Sequence, residues 1–122
     1  MVVGVCRLAF ALPGVASLKG KRSVVRRIVD RARAKFNVAV AEVAQLDSHK
    51  SAVIGFAVVS NDTRHVQSML DHISAFMGTI SEAVVVDRSL EIIHTNGQST
   101  PMPGLGDMGG LSEESWGDDD DS

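Results

Sequence analysis

The chain has 122 residues, one cysteine, 44% apolar residues and a formal net charge of −3. One domain of modest size is expected, too apolar for global disorder. A lone cysteine excludes an internal disulfide framework, which fits a reducing cytosolic setting.

The net charge hides a split. Residues 1–94 carry all twelve Lys and Arg against eight acids, whereas residues 95–122 carry seven acids and no base. The two parts therefore favour opposite partners, and each is a candidate partner for the other.

Residues 1–12 are apolar but too short for a membrane span, and no convincing cleavage site follows. They are read as a strand, Val2–Leu12, whose even positions Cys6, Leu8, Phe10 and Leu12 form the core face. Pro13-Gly14 ends it. Ser17 then suits the N-cap of a helix running to Phe36, with Val25, Ile28, Val29, Ala32 and Phe36 at helical spacing.

That helix holds eight of the twelve bases and one acid, Asp30. A second strand is predicted over Asn37–Val43. A polar loop, Gln45–Ser51, leads to a third strand, Ala52–Val59, apolar on both faces and so central. Ser60-Asn61-Asp62 is a capping cluster for a second helix, Thr63–Met77, with Val66, Met69, Leu70, Ile73 and Phe76/Met77 inward. Ala83–Ile93 reads as the last strand.

The order β-α-β-β-α-β predicts an α+β, ferredoxin-like fold. It has a four-stranded antiparallel sheet with both helices on one face. The other face is left open, and Val5, Ala9, Ala11, Val53, Ala57 and Val59 are expected on it, an apolar surface suited to a partner such as a second copy. Residues 95–122 are rich in Gly, Ser, Pro and acids, without periodicity, and are expected to form a disordered acidic tail.

The basic helix is the strongest functional candidate. Eight bases against one acid, spread over about 28 Å at 1.5 Å per residue, exceed what solubility requires. Lys19, Lys21, Arg22, Arg26, Arg27, Arg31 and Arg33 are the predicted phosphate contacts. Lys35 lies nearer the core stripe. The acids of the tail form a candidate intramolecular competitor for the same helix, individually weak but tethered.

Base stacking on the sheet is not expected. The chain has no tyrosine, and Phe10 and Phe56 share the core phase. His65 and His72 are poorly spaced for chelation, so no metal and no cofactor are predicted. The weakest candidate is an acid–base cluster at His49 and Asp47, for which an ordinary exposed loop is the simpler reading. Cys6 is expected to be a buried small hydrophobe. No nucleotide-binding or zinc-hydrolase signature is present, so no enzyme is predicted.

Three stretches, VVGVCRLAFALPGVASLKGKR, FNVAVAEVAQLD and AVIGFAVVSND, resemble the YlxP-like family in unbroken order over residues 1–94. SLKGKR, FNVAVAEV and VVSND are the most specific pieces. The resemblance implies a small bacterial cytosolic protein of ferredoxin-like fold. It also implies genes often beside those for translation initiation factor two and a ribosome-binding factor. Ribosomal RNA or the small ribosomal subunit is therefore the expected partner. A homodimer through the open sheet face is the alternative.

Overall fold

The computed structural model describes residues 1–80 and 82–95. Its elements are β1 (Val2–Ala11), α1 (Leu18–Lys35), β2 (Ala39–Ala44), β3 (Ser51–Ser60), α2 (Thr63–Met77) and β4 (Val84–His94). The sheet order is β2-β3-β1-β4, with every neighbouring pair antiparallel. This is the ferredoxin-like arrangement expected from the element order. The predicted tail lies outside the described residues, save Thr95.

Alternation along β1 and β3 decides the two faces. Cys6, Leu8 and Phe10 on β1 and Ile54, Phe56 and Val58 on β3 are buried toward the helices. The registers Cys6↔Phe56 and Leu8↔Ile54 set these residues side by side. Val24, Val25, Ile28 and Ala32 of α1 and Val66, Leu70, Ile73 and Met77 of α2 complete the core. Val3, Val5, Arg7, Ala9 and Ala11 have the opposite phase and line the open face. So do Val53, Gly55, Ala57 and Val59, as the two halves of each pair share a side.

Both helices start as their sequences predict. Ser17 Oγ accepts a hydrogen bond from the Gly20 N–H at 3.0 Å, and Asp62 Oδ1 accepts one from the Arg64 N–H at 3.0 Å. β2 begins two residues later than predicted, because Phe36 ends α1 with extended backbone and Asn37 and Val38 bridge to the sheet. β3 lies between β2 and β1, as its doubly apolar pattern requires.

β4 is an edge strand with most side chains exposed. Arg88 fastens it to α2 by an ion pair with Asp71 at 2.7 Å. Hydrogen bonding from that guanidinium holds the Asp71 carboxyl below its ordinary range. The described chain ends where it begins: the Thr95 N–H donates to the Met1 carbonyl at 2.9 Å.

Candidate nucleic-acid interface

The seven predicted phosphate contacts divide into three groups on α1. Lys19, Arg22, Arg26 and Arg33 follow one another at spacings of three, four and seven residues, so they form one stripe. Arg22, Arg26 and Arg33 border a groove of about 390 Å³ between α1 and β2, floored by Val25 and Val29 and closed by Val40, Ala41 and Glu42. Arg27 and Arg31 lie on the opposite flank, where Arg27 pairs with Glu82. Among the described residues, Lys19, Arg22, Arg26 and Arg31 have no carboxylate within ion-pair distance.

Lys21 forms the third group alone, and here the sequence expectation is corrected. It is 1% exposed and unreachable by a phosphate. Its ammonium meets the Gln45 carbonyl at 2.5 Å, the Ser48 carbonyl at 2.6 Å and Glu42 Oε2 at 2.8 Å. Glu42 Oε2 is itself buried, and this ammonium neutralises it. Lys21 thus ties the start of α1 to the β2–β3 loop, where Gln45 takes a left-handed backbone with φ 61°. The signal was in the spacing: Lys21 precedes Val25, Ile28 and Ala32 by four, seven and eleven residues, on the buried stripe.

Arg33 has a double position. Its Nη2 donates to the Val40 carbonyl on the edge strand at 3.2 Å. It also borders a second groove, of about 610 Å³, on the open sheet face. The floor of that groove is a two-by-two patch, Ala39↔Ala57 beside Ala41↔Gly55, the smallest side chains of β2 and β3. Val5 and Arg7 on β1 pair with Ala57 and Gly55 and form the far wall. Sequence reasoning placed Ala57 on this face but missed the depression, which exists only when the two strands are in register.

The sheet offers no stacking platform in the described residues. Phe10 and Phe56 are buried under the helices. Phe36 meets Phe76 edge-to-face at 5.5 Å within the helix layer, and Lys35 Nζ stands 4.9 Å from the Phe76 ring centroid. Lys35 is thereby engaged in packing, as its place near the core stripe suggested.

The remaining chemistry-bearing residues are dispersed. Cys6 is buried, with Sγ 3.7 Å from Ser74 Oγ. His94 Nε2 lies 2.9 Å from Thr63 Oγ1, and His72 Nδ1 lies 2.8 Å from the Ser68 carbonyl. Asp47 is exposed and His49 half-buried in the β2–β3 loop. Among the described residues no three His, Cys, Asp or Glu side chains converge as metal ligands, and no helix is long and apolar enough to cross a membrane.

Comparison with known proteins gives a family. The uncharacterized protein YlxP of Bacillus subtilis (strain 168) is 30% identical over 81 residues, which cover 66% of this chain and 88% of YlxP. A de novo designed protein with ferredoxin fold, LFR1 1, is similar with a TM-score of 0.48 at 11% identity, covering 84% of this chain and 94% of its own. A putative antibiotic biosynthesis monooxygenase from Deinococcus radiodurans is similar with a TM-score of 0.44 at 14% identity, covering 84% and 99%. Likenesses this distant say nothing about chemistry. A family model described as "Protein of unknown function (DUF503)" matches residues 3–90, and with the YlxP match it establishes that the chain belongs to this YlxP-like family.

Proposed function

We propose that this protein is a cytosolic, non-enzymatic accessory factor that binds structured RNA on a ribosomal particle through α1. One observation carries the reading. Lys19, Arg22, Arg26 and Arg31 are exposed, lie on one rigid helix and, among the described residues, have no carboxylate partner. Lys19, Arg22 and Arg26 make a row that fits phosphates along a backbone, and Arg31 adds a contact from the opposite flank, giving affinity without base readout. Arg27 and Arg33 are secondary contacts, as each already has a partner. The ribosomal destination comes from the family resemblance.

The reading predicts a specific response to charge reversal. The full chain carrying Arg22→Glu and Arg26→Glu, titrated against a structured ribosomal RNA fragment, should lose affinity and lower its salt slope by about one for each contact removed. Unchanged affinity in that variant contradicts the proposal.

A second reading, a homodimer through the open sheet face, is favoured by the exposure of Val43, Val59, Val84 and Ile93 around small neighbours. It predicts twice the chain mass by light scattering, returned to one chain mass by Val59→Glu. A single-chain mass at high concentration contradicts it.

A further inference from the structure

The two grooves beside β2 share Arg33, Val40 and Ala41. They are therefore the two sides of one edge strand: the open face has an apolar floor with Arg7 in its wall, and the helix face is lined by Arg22, Arg26 and Arg33 together with Asp30 and Glu42, the latter already paired with Lys21. Small side chains make the apolar side a flat-floored slot, which suits a planar ring better than a branched aliphatic group. Arg33 wraps the strand and joins the two sides. The ligand that fits both has an aromatic anchor followed closely by several carboxylates.

This chain contains such a segment. Residues 111–121 read LSEESWGDDDD, with the sole tryptophan two positions before four consecutive aspartates. The described chain ends at Thr95 beside Met1, at the end of the sheet where β2 begins, since Val2 pairs with Ser60 and Ala39 with Ala57. β4 and β2 are three strand spacings apart, about 14 Å. The fifteen residues 96–110 reach roughly 50 Å when extended, so the connection spans the sheet with length to spare. From Trp116 to Asp121 the reach is about 16 Å, enough to cross one strand from the open face to the arginine groove.

We propose that residues 111–121 dock in cis across the β2 edge, with Trp116 on the Ala39/Ala41/Gly55/Ala57 floor and Asp118–Asp121 against Arg22, Arg26 and Arg33. Each exposed charge pair contributes little alone. The buried indole and the tether make the contact specific and intramolecular. A docked segment covers the arginines that a phosphate backbone would use, so it competes with RNA. That consequence rests on the RNA reading, while the docking itself does not.

Trp116 makes the docking directly observable, because the chain has one tryptophan and no tyrosine. The test is emission and acrylamide quenching of the full chain without RNA, over a wide range of protein concentration. Docking predicts blue-shifted emission and a quenching constant several-fold below that of N-acetyltryptophanamide, both independent of concentration. Ala41→Leu, which fills the slot on an exposed face, and Arg26→Glu should each restore quenching toward the free value. Arg64→Glu, the same charge change on α2, should leave it protected. Far-UV circular dichroism confirms that each variant is folded. Free-indole quenching in the unmodified chain overturns the proposal. So does protection that Ala41→Leu and Arg26→Glu leave intact. Protection that disappears on dilution also overturns it, because the occupant is then a second copy.

Discussion

Replacing Lys21 with Met is expected to remove about 3 kcal/mol of folding stability, near the lower end for breaking a buried ion pair by deleting one partner. The ammonium is the meeting point of the Gln45 carbonyl, the Ser48 carbonyl and Glu42, at 2.5–2.8 Å. Methionine fills the space but leaves a buried carboxylate oxygen uncompensated and two carbonyls without their donor. The Glu42 side chain is 17% exposed, which keeps the loss near the low end. For a domain of this size that loss lowers the melting temperature by about 15 °C. Urea unfolding of Lys21→Met measures it. Adding Glu42→Leu removes the stranded carboxylate and should recover part of the loss, as apolar replacements of buried pairs are often close to neutral. A loss below about 1 kcal/mol, typical of surface pairs, or a double variant no better than the single, contradicts this account of Lys21.

Gly4→Ala should cost about 2–3 kcal/mol, at the upper end of the usual range for overpacking a filled core. A Cβ on Gly4 would stand 2.5 Å from Val66 Cγ1 and 2.9 Å from Leu70 Cδ1. Both side chains are fully buried in α2, so relief requires the helix to move off β1. Gly55→Ala is the matched control on the other face. Its Cβ would meet Val43 at 3.1 and 3.3 Å, and Val43 is exposed and free to turn away. That variant should be close to neutral, with a small gain from the stiffer unfolded chain. Equal unfolding midpoints for the two variants would show that α2 does not pack on β1 this closely.

The fold was largely legible because its signals are local and periodic. The strict alternation of Cys6, Leu8 and Phe10 and the stripe Val66, Leu70, Ile73 and Met77 each state which side is inward, and α2 runs over the residues its cap and spacing predict. Strand ends moved by one or two residues, since pairing and not composition decides where a strand starts.

The site was less legible. In a run such as KGKRSVVRRIVDRARAK every base looks alike, and whether one is on the surface depends on what the helix packs against. Lys21 sits inside because Glu42 and the loop carbonyls, more than twenty residues away, provide its partners. SLKGKR and the strand bearing Glu42, two of the stretches that carry the family resemblance, meet at that ammonium. The division of the remaining bases into a β2-facing stripe and an Arg27–Arg31 flank follows from helix geometry. The joining of two grooves through Arg33 needed the sheet order.

The reading of α1 as a phosphate-binding helix meets its most direct test in binding of the full chain to purified small ribosomal subunits across a salt titration. Four phosphate contacts, taken at the duplex slope of about 0.9 each, predict roughly a hundredfold loss of affinity between about 50 and 200 mM salt. Arg22→Glu with Arg26→Glu should flatten that dependence. No binding at the lower salt, or binding that neither salt nor those two substitutions weaken, would contradict the account.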